Sequence, residues 1–382
     1  MNDKTVETIE IRAVSGKKLL MDFIRIPWRI YKDDPKWIPP LLMERKEAFS
    51  SKHPFFKHAI WQTWIAYQDG EPVGRISAQI DELHQQRYQN KTGFFGLIEA
   101  VDDDAVFAAL FTTAENWLRE KGMRQVIGPF NLGINQEIGI LTEGFDTPPC
   151  VMTSHSRPYY DAAIQRCGYR RAQELLAYEL DIHSYTTPVI MQELLDRTAN
   201  RIKVVQLNRK TMEADFETMR DIFNDAWQDN WNFVPFTRDE FKAIGKELLT
   251  VVPHDFLQIA SIDGEPAAFI AMLPDINSAI ADLNGRLLPF GWAKLLWRLK
   301  VGFPKRCRIA LMGVRKKYQK TIFGPAMAYM VVESVINPGI SRGGEIVELS
   351  WILEQNKPMR NMIEKFGGKI SKRYHMYSKE LG

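Results

Sequence analysis

WIAYQDGEPVGRISAQI (residues 64–80) and FLQIASIDGEPAAFIAML (256–273) carry one tetrapeptide, Asp-Gly-Glu-Pro, at 69–72 and again at 263–266, each time between two apolar runs. Asp-Gly in that setting predicts a tight β-hairpin turn, because such a turn needs positive φ and Gly adopts it without strain. A second echo lies downstream. YDAAIQRCGY (160–169) and MRNMIEKFGG (359–368) each read as a short amphipathic helix, stopped by Gly168 or Gly367 and followed by a strand. The tetrapeptides are 194 residues apart (263 less 69) and the stop glycines 199 apart (367 less 168). Two landmarks, in the same order and at nearly one offset, point to a duplicated domain.

The elements around the landmarks repeat in the same order. In the first half the pattern predicts a strand in VETIEIRAV (6–14), a helix over 17–32 interrupted at Pro27, and a loop at 32–40. After the hairpin come a strand at 93–100, a helix at 103–121, a strand at 124–130, a helix at 159–167 and a strand at 174–181. Asp102 to Asp104 supply the acidic start of the 103–121 helix and Gly122 its stop. The polar, Gly- and Pro-rich region 131–158 is too long for a mere connector. Residues 182–200 read as a partly helical linker. The second half offers a strand at 203–207, helices at 212–227 and 238–250, the hairpin, a strand at 308–314, a helix at 321–336, a strand at 345–353, a helix at 357–366 and a strand at 372–381. Strand–helix–strand units imply parallel pairing and hairpins add antiparallel strands. The expected class is α/β with α+β character: two tandem domains, 1–185 and 186–382, each a mixed central sheet flanked by helices.

Composition narrows the partners. The 50 Lys and Arg nearly balance the 47 Asp and Glu, so no global basic field argues for nucleic acid. Three cysteines, Cys150, Cys167 and Cys307, stand far apart without a CxxC, which suits reduced buried thiols better than disulfides or zinc. The seven histidines lack metal spacing, and HExxH, GxSxG and Walker patterns are absent, so no metal is expected. No stretch reaches the length of an apolar membrane span, and the expected location is cytoplasmic.

Val314-Arg-Lys-Lys-Tyr-Gln-Lys-Thr-Ile-Phe-Gly324 lies between a strand and a helix and resembles the coenzyme A turn of the GNAT acyltransferases. Those enzymes place Gln or Arg there, Gly three residues on, and Gly or Ala five residues on. Gln319 and Gly324 match; Ile322 stands where the middle glycine would be. Asn356 and Gly367 match a second GNAT landmark, but Ile363 replaces the tyrosine that often serves as general acid. WRIYKDDPKWIPPL (28–41), HPFFKHA (53–59), GFFGLIEAVDDD (93–104), GPFNLGINQEIGILTEGFDTPP (128–149), DNWNFVPFT (229–237) and ELSWILEQNKPM (348–359) extend the likeness over nearly the whole chain. Together they resemble a bacterial family of tandem-GNAT proteins that includes a ceramide synthase branch.

That resemblance implies acyl-CoA or acetyl-CoA as co-substrate and an N-acyltransferase reaction, with an amphipathic lipid amine such as a long-chain base as the favoured acceptor. A small-amine acetyltransferase and an inactive binding or regulatory protein stay open as alternatives. It places the coenzyme on Met312, Gly313, Val314, Gln319, Lys320, Thr321, Ile322, Phe323, Gly324 and Asn356, with Lys316 and Lys317 as added phosphate contacts. The physical logic of the turn is that free N–H groups at a helix N-terminus attract a pyrophosphate. In the first half Asp102–Asp104 would repel one, so that half is expected to be degenerate and to serve the acceptor side. Candidate catalytic residues are Glu348 as base, Ser350 on the same strand face, and Tyr377. His155 and His375 are the histidines expected nearest a cleft. Candidate acceptor contacts are Asn131, Asn135, Glu137 and Trp231, with Asp146 in the same loop.

LLPFGWAKLLWRLKVGFPKRCR (287–308) combines an apolar run, Trp292 and Trp297 with six basic residues and no acid. Such a segment reads either as an interfacial helix in peripheral contact with the inner membrane or as a core helix with a basic rim. Monomer and homodimer stay equally open.

Overall fold

A computed structural model describes residues 8–185, 187–208 and 210–382, without the side chains of Ala199 and residues 247–250. The start of the expected first strand, Val6 and Glu7, and Thr186 in the expected linker lie outside the described residues. The first half runs β1 (Ile9–Ala13), α1 (Gly16–Ile30), α2 (Leu42–Ala48), β2 (Ala59–Gln68), β3 (Glu71–Asp81), α3 (Glu82–Tyr88), β4 (Thr92–Ala100), α4 (Asp104–Glu120), β5 (Gln125–Gly128), β6 (Phe130–Asn131), β7 (Glu137–Ile138), β8 (Ile140–Glu143), α5 (Tyr160–Arg166) and β9 (Arg170–Asp181). The second runs α6 (Val189–Thr198), β10 (Ile202–Gln206), α7 (Met212–Trp227), α8 (Arg238–Val251), β11 (Leu257–Ile262), β12 (Glu265–Pro274), α9 (Ile276–Ile280), α10 (Gly291–Lys300), β13 (Arg306–Val314), α11 (Lys316–Gln319), α12 (Phe323–Ser341), β14 (Ile346–Leu353), α13 (Lys357–Lys365) and β15 (Lys369–Glu380).

Two compact units result: residues 1–175 with 283–286 and 372–382, and residues 176–282 with 287–371. In the first, the strand order is β1-β2-β3-β4-β5-β15, antiparallel except for the parallel β4–β5 pair, and β8 also pairs with β15. In the second it is β14-β13-β12-β11-β10, antiparallel except for the parallel β13–β14 pair.

The duplication extends to the backbone. Asp69 and Gly70 turn with φ of 52° and 81°, Asp263 and Gly264 with 51° and 86°. The register slips at Ala66/Tyr67 in one hairpin and at Ala260/Ser261 in the other, the same place relative to the turn. Gly168 and Gly367 both end their helices at positive φ, 88° and 90°. Two expectations shift. Pro27 does not interrupt α1, because it sits in the last turn, where Tyr31 N–H still reaches its carbonyl. The helix expected to end at 336 continues to Ser341 through Pro338, as apolar side chains bury it along its length. In the first unit, α1, α4 and α5 enclose a core holding Phe23, Phe95, Phe107, Phe111 and Tyr160. In the second, α7 and α12 pack on β12 and β13.

Candidate active site

β13 and β14 pair only from Arg306 opposite Ile346 to Ile309 opposite Leu349. Both strands continue past that point. Pairing with β12 slips at the same level. Met272 faces Ile309 while Ala271 faces Leu311, so Ala310 is an extra residue. A bulge of this kind bends its strand and sharpens the twist, and β13 and β14 part beyond it.

Strand parity shows which backbone groups face the opening. Arg315 N–H donates to Ala267 O at 2.7 Å, continuing the β12–β13 ladder. Bonded and non-bonded pairs alternate along an antiparallel ladder. Gly313 and Leu311 therefore bond to β12, whereas Val314 and Met312 turn N–H and C=O to the other edge. The carbonyls agree. Met312 O accepts the Trp227 indole N–H at 2.8 Å, and Val314 O accepts the Gln319 side-chain amide at 2.9 Å. The N–H groups of Met312 and Val314 thus line the split as donors.

The first unit builds the same split and fills it. β4 and β5 pair only at Thr92–Phe94, and Leu97 and Ile98 together face the single Ile76. Val101 N–H donates to Val73 O, so Ala100 turns away from β3 as Val314 turns away from β12. There the edge is occupied. Tyr160 Oη accepts from Ala100 N–H at 3.0 Å, and Tyr159 Oη donates to Ala100 O at 2.8 Å. Tyr160 and Tyr31 both donate to Glu99, each at 2.7 Å. Leu97 N–H donates to Asn131 Oδ1 at 2.8 Å. Phe130 O lies 1.9 Å from where a Cβ on Gly96 would be, so glycine alone admits the chain there. Beyond this edge, Asp103 is spent capping α4, accepting from Ala105 N–H.

The turn between β13 and α12 is compact. Gln319 folds back onto Val314 O and onto Ala226 O, which closes the turn. The Thr321 hydroxyl donates to Tyr318 O and accepts from Phe323 N–H. A Cβ on Gly324 would meet Tyr318 O at 2.7 Å and Gln319 O at 2.8 Å, so that glycine serves the turn's own close approach. Ile322 is exposed and caps α12 with no side-chain bond; Phe323 lies beneath the Arg201 guanidinium. Lys316 and Lys317 pair with Asp229 and Glu265, each at 2.6 Å. Exposed pairs are screened by water and contribute little, so neither lysine is committed. Lys320 is exposed and has no ion pair with a described residue. A strand edge with outward N–H donors fits a pantetheine arm, and the dipole of the 19-residue helix that follows favours a pyrophosphate at its start, where Phe323 N–H and Gly324 N–H are already bonded to Thr321 and Pro325 has no N–H.

The remaining candidates divide sharply. Glu348 and Ser350 share a face, as expected, and are bonded at 2.7 Å. Arg308 Nε donates to Ser350 Oγ at 2.9 Å, Arg306 lies 3.4 Å from Glu348, and Glu179 pairs with Arg306. Glu348 is fully buried and Ser350 nearly so, and the serine hydroxyl donates to the carboxylate. Asn356 caps α13 by accepting from Met359 N–H. Tyr377 belongs to the first unit, where it donates to Asp161, and burial pushes its pKa well up. His375 also borders Asp161. Asn131 Nδ2 reaches Glu137, whose other oxygen is 3.5 Å from Arg45. Asn135 sits half-buried in the β6–β7 turn, Asp146 is exposed, and Trp231 is half-buried in the loop after α7. His155 is enclosed and bonds Asp34 at 2.9 Å; burial lowers its pKa. Sequence reasoning missed Trp227 and Arg308. The first reads as one more apolar residue of α7, and the second as one more base in a basic stretch.

Among proteins of known sequence, the chain is 48% identical to protein YghO of Escherichia coli (strain K12) over 97% of its own length and 95% of that protein. It is 43% identical to the bacterial ceramide synthase of Caulobacter vibrioides (strain NA1000 / CB15N) over 99% of both chains. The chain belongs to the bacterial ceramide synthase family. It is an acyltransferase of GNAT type. No protein-family model matches the chain. Among solved structures, a tandem GNAT protein from the clavulanic acid biosynthesis pathway superposes with a TM-score of 0.57 at 12% identity, over 98% of this chain and 99% of that one. At that identity the likeness speaks for the fold, and the fold is tandem GNAT. Among the described residues no helix is long and apolar enough to cross a membrane.

Proposed function

We propose that this member of the ceramide synthase family transfers a fatty acyl group from coenzyme A to the amine of an amphipathic long-chain base. The observation that carries the reading is 43% identity to a bacterial ceramide synthase over 99% of both chains. The one-sided split supports it: a donor edge at Met312 and Val314 in the second unit, and its counterpart in the first unit sealed by Tyr159, Tyr160 and Asn131. Acyl-CoA supplies a thioester carbonyl, which the amine nitrogen attacks, so that an amide C–N bond forms as the C–S bond breaks.

The chain's own residues hold the parts in place. The N–H groups of Met312 and Val314 receive the pantetheine arm and polarise the carbonyl, which is worth most in a water-poor cleft. Gln319 and the turn through Lys320, Thr321, Ile322, Phe323 and Gly324 aim the positive end of the α12 dipole at the pyrophosphate, with Lys320 as the exposed cation beside it. Ser350 takes a proton from the amine and passes its own to Glu348, to which it already donates. Arg308, bonded to Ser350, fixes that hydroxyl's orientation. Tyr377 is occupied by Asp161, so its hydroxyl is not the acid that meets the departing thiolate. Incubation with palmitoyl-CoA and a long-chain amino-diol, with mass spectrometry of the lipid product, tests the reading. The expected product is the N-acyl amide together with free coenzyme A. Acetylation of small amines with no turnover of long-chain acyl-CoA would reject it.

A further inference from the structure

Leu288, Phe290, Trp292, Leu296, Trp297 and Val301 are all exposed, Leu288 at 80%, Phe290 at 77% and Trp297 at 61%. Single exposed apolar residues need no explanation, but six within fourteen positions form a patch that marks a contact surface. Helix α10 is fastened by its other side. Leu295 is buried, and Arg298 bonds Ala279 O and Asp282, which Lys294 also contacts. Two cations thus share one carboxylate. Lys300 is exposed and has no ion pair with a described residue. Across 287–308 there is no acidic side chain. Apolar residues and indoles beside Lys300 and beside two cations on a single carboxylate match the two layers of a membrane boundary, hydrocarbon below and anionic headgroups above.

We propose that Leu288–Val301 lies flat on an anionic bilayer surface, with Phe290 and Trp297 inserted below the headgroups and Lys300 among the phosphates. The charge of the segment selects this occupant over an apolar protein face, which would leave Lys300 without a counter-charge and the Lys294–Arg298–Asp282 cluster with a net positive charge. The ten-residue helix is too short to span, so the contact is peripheral. The claim goes beyond acyl transfer and is read without it.

Co-sedimentation of the full chain with phosphatidylcholine vesicles, with and without phosphatidylglycerol, tests it. Binding is expected to the anionic vesicles and to weaken as salt is raised. The double variant Phe290→Ser/Trp297→Ser removes only exposed side chains and should lower the partition at least about tenfold. Lys300→Glu should lower it for anionic vesicles alone. Equal partition of parent and double variant overturns the proposal, as does binding that ignores phosphatidylglycerol. So does a concentration-dependent dimer in sedimentation velocity that the double variant abolishes, which would give the patch to a second copy. Acylation of a dissolved amine by the same preparations keeps a failure here separate from a failure of the acyltransferase reading.

Discussion

Val314→Pro removes one N–H from the edge that β13 turns toward the split. The structure makes this a clean deletion. Val314 is at a non-bonded position against β12, so the ladder loses no hydrogen bond. Its carbonyl remains, and with it the bond from Gln319. The preceding residue is Gly313, which best tolerates the backbone restriction that proline imposes on its neighbour. The fold should therefore lose about 1 kcal/mol, largely for the trimmed valine. A neutral hydrogen bond to a ligand contributes about 0.5–1.5 kcal/mol net, so coenzyme A affinity should fall about 2- to 12-fold. If the same N–H steadies the developing oxyanion, kcat falls further, by about 10²–10³. Calorimetric titration with coenzyme A gives the first figure, thiol release from acyl-CoA the second, and thermal melts the control. A folded Val314→Pro protein with the parent's affinity and turnover would refute the assignment of this edge.

Three further outcomes follow from the same geometry. Glu348→Gln should reduce kcat about 10²-fold or more while coenzyme affinity stays near the parent's; unchanged turnover by product assay removes Glu348 from the proton path. His155 is held below its ordinary pKa by burial, so the unfolded chain binds its proton first, and stability falls as pH drops below about 6.5. Urea midpoints of His155→Gln should flatten that acid limb, and a parallel limb would assign it elsewhere. Burial pushes the Cys307 thiol up to about 12 and the Cys167 thiol up to about 11, and Cys150 is buried. The native chain should therefore react slowly with Ellman's reagent at pH 8 and release three equivalents once unfolded; rapid native reaction would contradict the burial.

What was legible in the sequence was what neighbouring residues decide. Asp-Gly selects its turn locally, and Gly168 and Gly367 stop their helices locally, so the duplication could be read directly. The bulge at Ala310 could not, because it is a matter of register between strands and Ala310 alone looks like any strand residue. Nor could the sealing of the first split. Tyr160 meets Ala100 across 60 residues of sequence, and no spacing rule links them. Asp102–Asp104 were read as acids that would repel a pyrophosphate in the first half; in the structure that edge is filled by tyrosines and Asn131, and Asp103 caps a helix. Gly324 matched the coenzyme turn by resemblance, and in the structure a Cβ there would meet the turn's own carbonyls, a close approach that the sequence does not display. Likewise Lys372–Gly382 joins the first unit, since the alternation of a strand says which face is buried but not which sheet it enters.

The central claim is that one of two related strand edges is open to coenzyme A and the other is closed by the chain itself. The stoichiometry of coenzyme A binding to the intact protein, measured by isothermal titration, tests it most directly. The account predicts saturation at one molecule per chain, abolished or weakened by Val314→Pro. Two molecules per chain, or none, would contradict it.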